Sequence, residues 1–441
     1  MRGVIIMKKK AVVFLLITAM AATLGACGLT KEVAVSTTEE AASGTTVEVK
    51  SETVNATDLF TDRDLEQTAD LSDAVTIEVE DQKDVTIDSA GVYVLTGQAE
   101  EMTVYVEAKD EDKVQLVLDG LTITNTDSPC IYVKNADKVF VTTTDQESSL
   151  AVTGAFRSDG DTNTDAVIFS KDDLVLSGTG TLSIKSSDNG VSSKDALKIT
   201  GGTLRIDCEG SALEAHEVIG VSDGQITVTS CNDGLHAEDS DDETTGWIYI
   251  GGGTLDITAS DDAIHATTII QIDGGGLTLT AAEGIEATCI QINDGTIEIA
   301  ASDDGINAAS KSGAYTPAVT INGGEVTINM GEGDTDGIDS NGDITVNGGT
   351  ISITGMSTFD YDGTASYNGG TIIENGQETN TITNQMMGGP GGMGFMGGMG
   401  NMNGEDFPNG ENFQNGMNGP LGMGGPEMRN GQAQGNGRMQ Q

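Results

Sequence analysis

With 441 residues the chain is long enough for two or three ordinary domains, but its composition resists that division. Asp and Glu number 69 against 21 Lys and Arg, and the formal charge of −48 excludes nucleic acid and anionic lipid surfaces as partners while favouring divalent cations. Aromatic residues make up 4% and glycines number 60, which excludes the large-side-chain core of a helical or dinucleotide-binding enzyme and points to many short strands and turns.

The first element in chain order is an export signal. Lys8, Lys9 and Lys10 form a basic start, Ala11 to Thr23 an apolar stretch, and Leu24-Gly25-Ala26-Cys27 follows at once. The apolar stretch is too short to span a bilayer and has the proportions of a secretory signal. Leucine three places before a cysteine, with two small residues between, resembles a bacterial lipobox. Residues 1–26 are therefore expected to be a lipoprotein signal peptide and Cys27 the lipidated residue. The protein is then held by a lipid anchor on the extracellular face of the cell membrane. Residues 27–71, rich in Thr, Ser, Glu and Ala, read as a flexible linker. The other four cysteines, Cys130, Cys208, Cys231 and Cys289, match no disulfide framework or zinc ribbon. Cys208 and Cys231 lie about one repeat apart, and small buried residues are expected there rather than a bridge.

From residue 72 the chain repeats itself. A glycine-rich turn followed by alternating apolar residues occurs as Gly201-Gly202-Thr203-Leu204-Arg205-Ile206, as Gly252-Gly253-Thr254-Leu255-Asp256-Ile257, and as Gly323-Gly324-Glu325-Val326-Thr327-Ile328. Further copies begin at Asp223, Gly275, Asp294, Gly348 and Gly369, at steps of 20 to 29 residues. Between them lies an acidic turn: Cys231-Asn232-Asp233-Gly234-Leu235-His236, Ser260-Asp261-Asp262-Ala263-Ile264-His265, Ala282-Glu283-Gly284-Ile285-Glu286, Ser302-Asp303-Asp304-Gly305-Ile306-Asn307 and Asp334-Thr335-Asp336-Gly337-Ile338-Asp339. Third strands such as Ile269-Ile270-Gln271-Ile272 complete the unit.

A coil of about 21 residues with three short strands returns the chain one strand spacing, about 4.8 Å, further along. Alternation then places every second side chain in a narrow interior, where Ile, Val, Leu and Ala fit. The expected fold is all-β, a right-handed parallel β-helix over residues 72–384, with Val75 to Ile184 as looser early coils. The longer steps are read as insertions at Glu238 to Gly246 and Ala309 to Thr316. Residues 385–441, Gly, Met and Asn-rich, cannot bury enough apolar surface to fold alone and read as a disordered tail.

In-register coils stack the turn acids. Asp233, Asp261, Asp262, Glu283, Asp303 and Asp304 form a column of negative charge, with His236, His265, Glu286, Asn307 and Asp339 one step past the buried apolar residue and Asp336 extending the set. Like charges at strand spacing are destabilising. Ca²⁺, which takes carboxylate and carbonyl oxygens in flexible geometry, removes that cost. Turn preference explains a single Asp-Gly; it leaves two or three acids per turn unexplained. His236 and His265 fit hydrogen-bonded turn histidines better than a transition-metal site. No nucleophile–base arrangement, metalloprotease helix or phosphate loop is present. Only a lyase-type base is available, from Lys194 or Lys198, and local charge balance accounts for both. Trp247 and Tyr249, just after an acidic insertion, form either part of a sugar platform or packing on one side of the coils.

The alternation of Asp-Asp-Gly-Ile-Asn/His-Ala turns with Gly-Gly-Thr-Ile-x-Ile strands, with a lipoprotein signal and a Gly/Met-rich tail, resembles the calcium-binding, carbohydrate-binding parallel β-helix family of bacterial surface proteins known from cellulolytic clostridia. That family is similar in fold to family 9 pectate lyases. The resemblance spans Val75 to Asn384 and is most specific from Ser187 to Ile353. It implies binding of pectic acid and cellulose without cleavage, with calcium held by the turn acids, here Asp233, Asp261, Asp262, Glu283, Asp303 and Asp304. Ala263 and Ser211 depart from its glycine pattern. The resulting expectation is a monomeric, calcium-dependent polysaccharide binder. A calcium-assisted lyase and a surface spacer with purely structural calcium are the alternatives.

Overall fold

The structure is a computed structural model that describes residues 59–333 and 335–385. The expected signal segment with Cys27, the tether up to residue 58, Asp334 and the tail from residue 386 lie outside the described residues.

Alternating sequence makes strands here because each places one side chain inward and the next outward. Thr254–Thr258 and Thr296–Ala301 bury every second residue. Equivalent strands of successive coils pair in parallel, with Leu255 opposite Leu277 and then Ile297, so interior side chains stack in files. The strands form a 24-stranded sheet, which supplies two strands to each coil, and a 12-stranded sheet, which supplies the third. One core runs through the coils and consists chiefly of fully buried Ile, Val and Leu. Each such side chain contributes about 1.5–3 kcal/mol through burial. The all-β repetitive solenoid expected from the sequence is thus present.

Two glycine positions recur for different reasons. In the Gly-Gly turns the second glycine has positive φ, 87° at Gly253 and 83° at Gly324, a conformation that side chains resist. In the acidic turns the glycine instead avoids a collision. A Cβ at Gly284 would lie 2.4 Å from the Gly305 carbonyl oxygen and 2.5 Å from Ile299 Cγ2.

The flexible linker expected over residues 27–71 is contradicted from residue 59 onward, where the chain docks on the outside of the long sheet. Asp64 is fully buried between the ammonium groups of Lys138 and Lys198, each 3.1 Å away. Gln67 accepts from the Gly178 amide and donates to the Thr200 carbonyl, both at 2.9 Å. Gly220 leaves the space that Leu59 and Phe60 fill. At the other end the antiparallel hairpin Thr371–Glu374 and Gln377–Thr379 departs from the parallel pairing, and the Gln385 amide donates to the Phe359 carbonyl. Cys130, Cys208, Cys231 and Cys289 are all free thiols, as expected of small packing residues. Burial pushes the Cys208 thiol up to about 12.

Candidate functional site

The outer face of the 12-stranded sheet gathers most of the residues picked out from the sequence. Register places Glu214, His236, His265, Glu286, Asn307, Asp339 and Asp360 in one file across successive strands. A second file, three residues earlier in each coil, contains Asp262 opposite Glu283 and Asp336 opposite Ser357. Asp233 and Asp304 join it through their side chains, which accept the backbone amides of Asp262 and Asp336 at 3.2 and 3.1 Å. These bonds explain why a short carboxylate suits the position. Asp261 and Asp303 stand apart: both are exposed in the turn, one residue before the file.

The column is not uniform. In its first half, cations answer the acids. The His236 Nδ1–H donates to Asp233 at 2.8 Å, and the His265 Nδ1–H to Asp262 at 2.6 Å and Glu286 at 3.1 Å. The two imidazoles stack with centroids 4.6 Å apart and planes 9° from parallel. Burial alone would lower the His265 pKa, but the Asp262 and Glu286 carboxylates outweigh it and raise it to about 9. Lys311, from the second insertion, reaches Glu286 at 2.7 Å.

In the second half, among the described residues, no Lys, Arg or His pairs with Asp304 or Asp339. Burial first, then neighbouring Glu286, raises the Glu283 carboxyl to about 7. Burial and the charges of Asp339, Asp303 and Asp336 raise Asp304 to about 7, against the pull of the Asp336 amide. Burial and Asp360 raise Asp339 to about 6. Asn307 donates to Glu283 and Glu286 at 3.0 and 3.3 Å, while its own carbonyl oxygen and Asp360 Oδ1 are buried without a hydrogen-bond partner. Oxygen donors alone, in part without a hydrogen-bond partner, suit a hard cation. The tight three-donor groups among the described residues, His236–Glu238–His265 and Asp262–His265–Glu286, lie in the first half and none lies in the oxygen-only stretch.

The remaining candidates separate from the column. Lys198 lies on the long sheet beneath residues 59–64, donating to Asp64 and to the Leu59 carbonyl, which leaves its amine no role as a base at the acids. Lys194 contacts Glu214 and His216, each at 3.1 Å, several coils from Asp304. Tyr249 is 6% exposed, donates to Asp273 and packs near Phe60, so it takes the packing role and not the sugar platform. Trp247 is half-buried on the long sheet beside Val218.

Sequence reading missed the aromatic end of the same face. Tyr105, Tyr132, Phe169 and Ser192 continue the file that leads to Glu214. Tyr105 and Tyr132 have centroids 5.8 Å apart, and Tyr132 and Phe169 5.5 Å. Lys134 lies over the first two rings, Lys171 over Tyr132 and Lys194 over Phe169. Their one signal was the aromatic or apolar residue just after a buried Val or Ile in each early coil. Irregular spacing hid its register with the later turns.

A family model for carbohydrate-binding domain-containing proteins matches residues 81–337 and 282–387. A carbohydrate-binding domain-containing protein of Acetivibrio thermocellus is 33% identical over 124 residues, which is 27% of this chain and 43% of the relative, so less than half of that relative is spanned. A solved structure described as the polysaccharide lyase-like protein from C. thermocellum, a gadolinium derivative, is similar with 27% identity and a TM-score of 0.46, covering 51% of this chain and 96% of that one. With most of its coils inside the family match, the chain belongs to the carbohydrate-binding domain-containing protein family.

Proposed function

We propose that the protein binds acidic polysaccharide through calcium held on the outer face of the 12-stranded sheet. The supporting observation is Asp304 and Asp339 on successive coils, carboxylates held among other acids and, among the described residues, joined to no Lys, Arg or His. Glu283, Asp304, Asn307, Asp336, Asp339 and Asp360 would hold the ion; Asp233 and Asp262, engaged by histidine, would not. Calcium supplies charge neutralisation and open coordination positions for a uronate carboxylate. Without it a protein of charge −48 repels a polyuronate. Tyr105, half-exposed beside Lys134, offers a sugar-stacking surface further along the same face. Lipid attachment through Cys27 would place this face outside the cell.

The lyase alternative needs a neutral amine beside the ion. The lysine nearest the acids, Lys311, is paired with Glu286, which raises its pKa despite burial and keeps it charged. Binding without cleavage is therefore the reading favoured.

The test is retention on insoluble polygalacturonate with calcium or chelator, with the supernatant followed for unsaturated uronate. Expected are retention with calcium only, no product, and at least ~10-fold weaker retention after Asp304→Asn with Asp339→Asn, as loss of charged ligands weakens a calcium site. Product would make the protein a lyase. Equal retention in chelator would remove calcium from recognition.

A further inference from the structure

We propose that Lys171, flanked by Lys134 and Lys194 on the early coils, is the centre of a metal-free subsite for a carboxylated sugar, with Tyr105 stacking on the sugar ring. The inference rests on the reading of this sheet face as one for acidic polysaccharide, but it needs no calcium.

Register builds the subsite. Val133 pairs with Ser170 and Ser170 with Ser193, so the residues that follow them, Lys134, Lys171 and Lys194, stand in one outward file on three successive coils. The backbone keeps that order, since the Lys171 amide donates to the Val133 carbonyl at 3.0 Å and the Lys194 amide to the Ser170 carbonyl at 2.9 Å. Two residues earlier in each strand run Tyr132, Phe169 and Ser192, with Tyr105 on the coil before. Tyr132 and Phe169 form with Ala166 a small cluster apart from the main core, and Tyr105 packs against it half-exposed.

Three lysines in register are unexpected in a chain with 69 acids and 21 bases. Like charges at strand spacing are destabilising. The ring faces offset part of that cost: Lys134 lies 4.5 Å from the Tyr105 centroid, Lys171 5.8 Å from that of Tyr132 and Lys194 5.5 Å from that of Phe169. Lys134 is also paired with Glu107 and Asp159, both at 3.3 Å, and Lys194 with Glu214 at 3.1 Å. Lys171, between them, differs. Among the described residues it forms no ion pair, and its neighbour Asp172 accepts the Ala136 amide at 3.0 Å. The hydroxyl of Tyr132, the ring over which Lys171 lies, is buried without a hydrogen-bond partner. A carboxylate at Lys171 supplies the missing countercharge and, as the flexible lysine stem swings off the ring, an acceptor for that hydroxyl. Tyr105 then meets the apolar face of the same sugar.

Phe169 and Asn307 are six register steps apart along the face, or ~29 Å. A polyuronate lying along the face reaches both the lysines and the oxygen-only stretch, whereas a trisaccharide is too short to do so. One weak contact does not hold the protein on a washed matrix, so retention on polygalacturonate still requires calcium.

The experiment is calorimetric titration of the full chain with trigalacturonate in chelator, at low and high salt, with its fully methyl-esterified form as the uncharged control. The expected result is binding at millimolar affinity or better, weakened by salt, with no binding of the ester. Lys171→Gln, which keeps most of the stem, weakens binding at least ~10-fold, while Lys171→Arg retains it. Tyr105→Ala weakens it ~3–10-fold. Asp304→Asn with Asp339→Asn leaves it unchanged. No binding at ~10 mM trigalacturonate, equal binding of the ester, or full affinity in Lys171→Gln each overturns the proposal. Calcium-dependent retention on polygalacturonate is scored separately, so failure of this subsite is distinguishable from failure of the calcium site.

Discussion

Asp64 has no exposed surface, and two lysines with 8% exposed side chains face it. Burial alone would raise its pKa, but the Thr61 amide, Lys198 and Lys138 together hold it below the usual carboxylate range. Breaking such a group from one side strands the remaining charges, which costs far more than an exposed pair. Asp64→Ala is expected to lower stability by about 3–5 kcal/mol in chemical denaturation and to release residues 59–71 to proteolysis. A change below about 1 kcal/mol, the range of an exposed pair, would show that the segment docks through its apolar residues alone. No reading of residues 27–71 could find this, since a lone Asp among polar residues carries no mark of its distant partners.

The acidic turn shows how elements compensate for one another between coils. Gly234, Gly284, Gly305 and Gly337 each meet the Cγ2 of an isoleucine, respectively Ile257, Ile299, Ile328 and Ile353, at 2.4–2.5 Å from a built Cβ. The turn carries alanine at two such positions: Ala263, whose equivalent partner in the next coil is Leu279, and Ala212, which the register places opposite Gly234 in the position expected of Ser211 and whose partner, Val228, keeps a branched Cβ. The departure at Ala263 is therefore matched by an unbranched Cβ opposite it. Gly284→Ala should cost about 1–3 kcal/mol by overpacking, and adding Ile299→Leu should recover part of that cost. Strict additivity in the denaturation midpoints would refute the pairing. A second device is the side-chain ladder Asp273–Asn293–Asn322–Asn347–Asn368, joined by bonds of 2.6–2.8 Å, which seals the turns before the Gly-Gly corners. The insertions also meet: Ser312 donates to the Glu243 carbonyl, so both long steps project at one edge of the acidic face. Their spacing alone indicated only that they leave the coil.

For the whole molecule the charge pattern gives stability a direction with pH. Glu283 and Asp304 titrate near 7 and Asp339 near 6 in the fold, above their ordinary range. A raised carboxyl favours folding when protonated, so this stabilisation is present at low pH and lost as pH rises from about 4 through the folded values. His265, raised to about 9, acts in the same sense: its contribution is complete below its unfolded pKa of about 6.5 and lost as pH rises through 9. The calcium-free protein should therefore melt several degrees higher at pH 5.5 than at pH 8. Calcium should raise Tm at pH 8 and do so progressively less towards pH 5.5. A calcium increment independent of pH would place the ion away from these carboxylates. Added monovalent salt should also raise Tm at pH 8, because it screens the repulsion of a strongly acidic surface.

The coil repeat, the alternation that sends Leu255 and Ile257 inward, and the column that unites Asp233, Asp262, Glu283 and Asp304 followed from the sequence alone. In a solenoid each coil contacts its neighbours, so a local period is enough to establish long-range pairing. What the period could not assign was charge partnership across the surface. Only the tertiary structure gave Asp233 and Asp262 to histidine, brought Lys311 from an insertion to Glu286, left Asp304 and Asp339 without a cation partner among the described residues, and aligned Tyr105, Tyr132 and Phe169 with the acids. Those outcomes depend on register through coils of unequal length and on segments that fold back from outside the repeat, and neither leaves a periodic trace in the chain.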